Sequence, residues 1–90
     1  MLTERENILI ECLVKDYISK GNAISSDRLL KKTGLNCSTA TIRKDLIKLE
    51  SLGLVESTHV SSGRLPTVKG YRYYIDNNLK SKPLSESEQE

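Results

Sequence analysis

Residues 38–53 combine short hydroxyl and long basic side chains on one face of a predicted helix. Thr41 and Lys44 lie on this face, turned away from the apolar residues of the segment. A threonine can donate or accept a hydrogen bond or place its methyl group against thymine, and a lysine can reach O6 and N7 of guanine. These two side chains are therefore the leading candidates for contact with base edges in double-stranded DNA, or with the phosphates that border them.

The same segment offers further candidates for the DNA backbone. Arg43 lies at the flank of the basic face and Lys48 follows one turn after Lys44, so we expect both to bind phosphates. No acidic residue occupies the first turn, where free N–H groups and the positive end of the helix dipole suit a phosphate. An ordinary solvated helix face is the alternative. The candidates in this segment are Ser38, Thr39, Thr41, Arg43, Lys44 and Lys48.

The apolar residues of the segment predict the helix that positions this face. They recur at positions i, i+4 and i+7, the pattern of a helix packed on a core: Ile42, Leu46 and Leu49. Ser38 is the expected N-cap and Gly53 the left-handed stop, so we predict a recognition helix over residues 38–52. A shorter helix, capped by Ser25 or Ser26, precedes it after a tight turn. This order is typical of a helix-turn-helix.

A two-stranded ribbon, or wing, is predicted over residues 54–65, directly after the recognition helix. Residues 54–58 alternate as a strand, turn residues follow, and Arg64 begins a short returning strand that Pro66 closes. Arg64 lies just beyond the wing tip, where an arginine can enter a minor groove or clamp a phosphate. An exposed arginine that only aids solubility is the alternative. Two serines at the tip are expected to add hydrogen bonds to phosphate: Ser61 and Ser62.

The first helix is predicted to run from a capping box at residues 3–6 to about Lys20, with Gly21 as its stop. Its core stripe consists of Leu9, Ile10, Leu13, Val14 and Tyr17. Three further apolar residues lie outside this stripe: Ile8, Cys12 and Ile18. They form either the partly exposed surface of a small domain or a second surface for a dimer partner or another domain.

A last helix is predicted over residues 68–79, with Thr67 as its cap. Gly70 in its first turn costs up to about 1 kcal/mol of helix propensity relative to alanine, so we expect the wing or a partner helix to approach closely there. The tyrosines of this helix could stack on unpaired bases, but their helical spacing favours the core. The predicted inner face comprises Tyr71, Tyr74, Ile75 and Leu79.

The charge distribution favours one small domain with a basic surface. The chain has 90 residues and a net charge of +2, but residues 1–82 hold all 14 basic residues and 9 of the 12 acidic ones. That part of the chain therefore carries +5. We predict a single domain over residues 1–80 and a flexible acidic tail, or the start of a linker, over residues 81–90. Arg72, on the last helix, is a further candidate for phosphate contact.

No constellation of nucleophile and base predicts an enzyme, and no glycine-rich loop predicts a cofactor site. Two cysteines without a C-x-x-C spacing and a single histidine are too few for an ordinary zinc site. The sequence has no apolar run of about 20 residues and no signal-peptide pattern, so we expect a cytoplasmic protein with reduced thiols.

Three segments carry a family resemblance. They are Asp16-Tyr17-Ile18, Ser38-x-Ala-Thr-Ile-Arg43 and Gly63-Arg-x-Pro-Thr-x-x-Gly-Tyr-Arg72. Together they resemble the N-terminal DNA-binding domain of the bacterial heat-inducible transcription repressor HrcA family. The resemblance implies a homodimeric repressor that binds an inverted-repeat operator of chaperone genes and depends on the chaperonin as a partner. Members of that family carry a long C-terminal dimerisation and regulatory region beyond the part matched here.

The predicted fold class is α+β and mostly helical. It is a winged helix-turn-helix with a three-helix core, a two-stranded β-wing and an additional C-terminal helix. The predicted function is sequence-specific repression, with the recognition helix in the major groove and the wing on the adjacent backbone. Two alternatives remain open. One is a DeoR-type sugar-metabolism repressor, which shares the Ser-x-x-Thr-Ile-Arg-x-Asp-Leu pattern, and the other is a winged helix used for protein–protein contact.

Overall fold

Four helices and two short strands follow one another in the part of the chain that the structure, a computed structural model, describes: residues 2–58 and 63–81. Side chains at the end of the last helix are described as far as residue 77. No helix in these residues has the length and apolar character needed to cross a membrane. The elements are α1 (Glu4–Lys20), α2 (Ser26–Thr33), α3 (Thr39–Ser51), β1 (Val55–Ser57), β2 (Arg64–Pro66) and α4 (Val68–Ser81).

The helix ends confirm the predicted caps. α1 begins with a reciprocal capping box, in which the Glu6 N–H donates to Thr3 Oγ1 and the Thr3 N–H donates to the Glu6 carboxylate. Ser25 caps α2, and Ser38 caps α3 by accepting the Thr41 N–H at 3.2 Å. Gly21 follows α1 with φ near +74°, a conformation that favours glycine.

The buried side chains of the first three helices form one core. α1 contributes the four aliphatic residues of its predicted stripe, and α3 contributes all three of its own. Burying each such side chain stabilises the fold by about 1.5–3 kcal/mol relative to leaving it exposed. The buried apolar residues are Leu9, Ile10, Leu13, Val14, Ile24, Leu29, Ile42, Leu46, Leu49, Leu54 and Val55.

The strands form the antiparallel wing. Val55 is opposite Pro66 and Ser57 is opposite Arg64, so the first strand is shorter than predicted and the second includes the proline. Arg64 also exchanges two backbone hydrogen bonds, of 2.9 and 3.1 Å, with Ile24 in the connection between α1 and α2. The second strand is thereby attached to this connection at its first residue, the end of the ladder opposite the Val55–Pro66 pair. The predicted phosphate contacts Ser61 and Ser62 lie outside the described residues.

The wing joint, by which we mean residues 53–54 and 63–70, fixes the wing against α4. A Cβ atom on Gly70 would lie 2.1 Å from the Leu54 carbonyl oxygen, which confirms that the wing approaches this glycine closely. Thr67 caps α4 by accepting the Gly70 N–H at 3.0 Å, and its hydroxyl donates to the Gly53 carbonyl at 2.6 Å. A Cβ on Gly63 would lie 2.8 Å from that of Ala23. Gly63 and Gly70 are therefore required for close packing of the wing joint.

α4 packs on α1 through its tyrosines. Tyr71 and Tyr74 are partly buried against the core, as predicted, and the Tyr73 hydroxyl donates to Asn7 Oδ1 at 2.7 Å. The prediction that Ile75 faces the core is wrong, because its side chain is 48% exposed. α4 turns the side that carries Gly70 and Tyr73 inward, and this rotation leaves Ile75 on the outer face. The helix also extends to Ser81, the first residue of the predicted tail.

The apolar residues of α1 outside its core stripe line a shallow groove against α2. Ile8 and Cys12 are half-buried there, beside a groove volume of about 470 Å³, whereas Ile18 is 60% exposed. Burial raises the pKa of the Cys12 thiol, so the thiol stays protonated at neutral pH. The two explanations for these residues, a partly exposed surface or a second binding surface, both remain open.

Candidate nucleic-acid interface

The exposed side of α3 is the centre of the candidate interface. Ile42, Asp45, Leu46 and Leu49 are buried on one side of the helix. Since each residue turns the helix by about 100°, the residues farthest from that side lie at i, i+4, i+7 and i+11. All four are exposed. We call this row the reading face, and it consists of Ala40, Lys44, Ile47 and Ser51.

Lys44 and Arg43 carry the positive charge of this side of α3. Both side chains are exposed, and neither forms an ion pair with any described residue. Thr41 is half-exposed at the edge of the helix, with its hydroxyl 3.2 Å from Ser38 Oγ. The structure thus leaves both cations available to an external anion, while the predicted base contacts of Thr41 and Lys44 remain predictions.

The hydroxyl groups at the start of α3 shape the turn. Ser38 Oγ accepts the Thr41 N–H, and Thr39 Oγ1 donates to Asp27 Oδ1 of α2 at 3.1 Å. Both predicted phosphate ligands therefore already have partners within the helix-turn-helix. The Ser38 bond caps α3, and the Thr39 bond joins α3 to α2. A contact of either hydroxyl with phosphate remains a prediction.

The side of α3 that faces α1 holds paired charges. Lys48 Nζ lies 3.2 Å from the buried carboxylate of Glu6, and Arg5 binds Asp45 through two nitrogens, one at 3.1 Å. The predicted arginine partner of Asp45 is confirmed. Hydrogen bonding from Thr3 lowers the pKa of Glu6, with Lys48 adding to the effect, and the Asp45 carboxylate raises the pKa of Arg5. To contact phosphate as predicted, Lys48 has to leave Glu6.

The two basic side chains predicted to bind DNA beyond α3 occupy different environments. Arg64 lies at the end of the wing ladder opposite the Val55–Pro66 pair, with its side chain only 13% exposed and its Nε 3.3 Å from Glu50 Oε1. It therefore links the wing to α3, and its predicted groove contact requires a change of partner. Arg72 is exposed on the outer face of α4, beside Ile75. Its predicted phosphate contact remains a prediction.

The sequence-based prediction missed two cations on α2. Arg28 and Lys31 are exposed and form no ion pair with a described residue, whereas Lys32 of the same helix binds Asp16 of α1 at 3.1 Å. The first helix of a helix-turn-helix crosses the DNA backbone, so its outer cations are candidates for phosphate binding. The position of α2 in the predicted helix-turn-helix was the signal that could have identified them.

Comparison with known proteins assigns the fold to a family. The model of the DeoR-like helix-turn-helix domain matches residues 5–62. The chain belongs to this family. Two relatives are named heat-inducible transcription repressor HrcA, one from Pediococcus pentosaceus at 47% identity and one from Bacillus pumilus at 43%. Both alignments cover 98% of this chain but only 25% and 26% of the relatives, so the chain spans about a quarter of their length.

A solved structure of a hypothetical protein shares the fold. It has a TM-score of 0.87 and 42% identity, over 98% of this chain and 28% of that one. The two sequence comparisons differ in how much of the chain they cover after the recognition helix. The DeoR-like model ends at residue 62, whereas the HrcA alignments span 88 residues. The longer alignments therefore include residues 63–72, the third of the segments that carry the resemblance. The resemblance to the N-terminal region of HrcA is confirmed.

Proposed function

We propose that this chain is the DNA-binding domain of a transcription repressor and binds an operator in double-stranded DNA. One observation carries the proposal. Cations of α1, α2 and α3 that face a neighbouring helix are paired with acids, whereas four outward-facing cations of these three helices have no acidic partner among the described residues. All four belong to the helix-turn-helix: Arg28, Lys31, Arg43 and Lys44.

The geometry supports a specific docking mode. α3 enters the major groove with Lys44 toward base edges, while Arg43 and the two α2 cations bind the phosphates on either side. The wing then lies along the adjacent backbone. Two protomers bind inverted half-sites one or more helical turns apart, at about 10–10.5 base pairs per turn. If each protomer neutralises about four to six phosphates, the salt slope of the dimer is roughly −7 to −11.

The names of the relatives and the family resemblance support a proposal for the target genes. Relatives that match 98% of the chain are named heat-inducible transcription repressors, and the family resemblance implies chaperone genes. We therefore propose chaperone genes as targets in the cytoplasm. The family resemblance extends this proposal to a homodimer and a chaperonin partner. A second candidate is a DeoR-type metabolic repressor, which the match of the DeoR-like model favours. A winged helix that contacts another protein is a third possibility, and the unpaired cations argue against it.

Fluorescence anisotropy across a salt series tests the proposal. The 90-residue chain is titrated against the inverted repeat upstream of chaperonin genes and against a scrambled duplex of equal length. Preference for the repeat supports the heat-shock assignment, with a salt slope of roughly −4 to −5 if a single protomer binds. Equal, salt-dependent binding to both duplexes supports DNA binding but contradicts the chaperone operator. No binding to either duplex at low salt overturns the proposed function.

A further inference from the structure

Ile47 is an exposed aliphatic residue in the middle of the reading face. Its side chain is 58% exposed, with Lys44 one turn before it and Ser51 one turn after it. β-branched residues lose side-chain freedom in a helix, so isoleucine at an exposed position brings neither high helix propensity nor burial within the domain. The domain alone therefore gives no reason for an isoleucine at this position.

The major groove contains an apolar group that suits this side chain. Of the four bases, thymine alone presents a methyl group there, and aliphatic side chains recognise it by contact. We propose that Ile47 packs against the C5-methyl group of a thymine and thereby contributes to the choice of operator sequence. This inference rests on the proposed function, since it requires α3 to enter the major groove.

The spacing along α3 places the thymine next to the base contacted by Lys44. Three residues of helix rise by about 4.5 Å, and successive base pairs lie about 3.4 Å apart. Ile47 and Lys44 therefore reach neighbouring base pairs when the helix axis follows the groove. Ala40, one turn before Lys44, offers a smaller apolar contact on the other side. The expected half-site accordingly has a thymine adjacent to the position that responds to Lys44→Ala.

Other exposed isoleucines of the domain lie away from this face. Ile18 is 60% exposed on α1 and Ile75 is 48% exposed on α4. Ile18 provides the matched control because its side chain is identical and similarly exposed, but it belongs to a helix outside the helix-turn-helix. Replacing it tests whether an effect at Ile47 arises from a general loss of exposed apolar surface.

The test replaces the thymine methyl group and the isoleucine separately and together. Duplexes are first selected from a random pool by the 90-residue chain, and each thymine of the selected half-site is then replaced by deoxyuridine, which lacks only the methyl. At one position the wild-type chain should bind about fourfold more weakly, the effect of one buried methyl group. Ile47→Ala should bind the thymine duplex about tenfold more weakly and show no further loss with deoxyuridine, as expected for two groups in contact. Ile18→Ala should behave as wild type.

Two results overturn the inference in distinguishable ways. If the chain selects a sequence but no deoxyuridine replacement weakens binding, or Ile47→Ala retains the wild-type sensitivity, the methyl contact is absent while the proposed function stands. If the chain enriches no sequence from the pool, the proposed function and the methyl contact fail together.

Discussion

The wing joint and the reading face differ in how many bonds they make within the domain. In the wing joint, Thr67 binds the Gly53 carbonyl and the Gly70 N–H, and the Thr67 N–H donates to Leu54 at 3.1 Å. On the reading face, Lys44 has no ion pair within the described residues, and Ser51 bonds only to a carbonyl of its own helix among them. The first region holds the wing and α4 in place, and the second is left available for a partner.

This difference implies that stability and DNA affinity reside in separate residues. Substitutions in the wing joint should lower the free energy of unfolding because they disturb backbone contacts. Substitutions on the reading face should lower affinity for DNA while leaving unfolding unchanged.

Gly70→Ala should destabilise the domain most. The new Cβ would lie 2.1 Å from the Leu54 carbonyl oxygen, which is main chain and shifts only with the wing. Alanine gains about 1 kcal/mol of helix propensity, but overpacking costs about 3 kcal/mol or more, so the net loss is about 2 kcal/mol or more. Urea unfolding measures this loss.

Gly21→Ala is the matched control for Gly70→Ala. Gly21 has φ near +74° but no atom within 4 Å of an added Cβ, so only the backbone penalty of about 1 kcal/mol applies. Equal losses for the two variants would show that contact with the wing contributes nothing.

Lys44→Ala should weaken binding to the preferred duplex about 5- to 150-fold, because a good base contact contributes about 1–3 kcal/mol of discrimination. Its melting temperature should match that of wild type, since Lys44 is exposed and unpaired among the described residues. Lys15→Ala, at an exposed position of α1 paired with Glu11, should leave affinity unchanged. A drop in melting temperature for Lys44→Ala would contradict the proposal that stability and DNA affinity reside in separate residues.

Arg43→Ala should reduce DNA affinity more than Lys48→Ala. Arg43 has no ion pair with a described residue, whereas Lys48 must give up Glu6 before it can bind phosphate. Lys48→Ala should instead lower the free energy of unfolding by about 0.5–1 kcal/mol, as expected for a pair with one exposed member. Parallel anisotropy and urea titrations measure both quantities. The reverse ranking in affinity would place Lys48 on the DNA.

Acid should destabilise the domain through Glu6. The folded state lowers the pKa of this carboxyl, so the unfolded chain binds the proton more readily. The contribution to stability is complete above the unfolded pKa and is lost as the pH falls from there through the folded value. Urea midpoints between pH 7 and pH 3 should therefore fall less for Glu6→Gln than for wild type.

The sequence predicted the helix ends well because caps depend on neighbouring residues. The roles of Thr3, Ser38 and Gly21 all involve atoms within four positions along the chain. The core stripes were also predictable, since they follow from helical spacing alone. The rotation of α4 about its axis was not predictable from the sequence. Ile75 follows Tyr71 by one helical turn and therefore fits the same apolar spacing, but it lies outside the side of α4 that packs on the core.

Ion pairs with side chains from distant segments were the main feature of the site that the sequence did not predict. Lys48 and Arg64 were predicted to be available for DNA, but Lys48 is paired with Glu6 and Arg64 with Glu50. The spacing of residues along the sequence contains no information about those contacts.

The presence of glycine at position 70, in the first turn of a helix, predicted that another segment approaches closely there. That the approaching atom is the Leu54 carbonyl oxygen depends on the tertiary fold. Of the reading face, the sequence predicted Lys44, whereas Thr41, which was predicted to share its face, lies at the edge of the helix.

The most direct test of DNA binding by this face is a two-dimensional amide NMR titration of the chain with a half-site duplex. DNA binding through α2 and α3 predicts the largest shifts over residues 26–51, near-constant shifts at the exposed end of α1 around Ile18, and loss of the α3 shifts in Lys44→Ala. Shifts concentrated on the outer side of α1, or none at duplex excess in low salt, would contradict it.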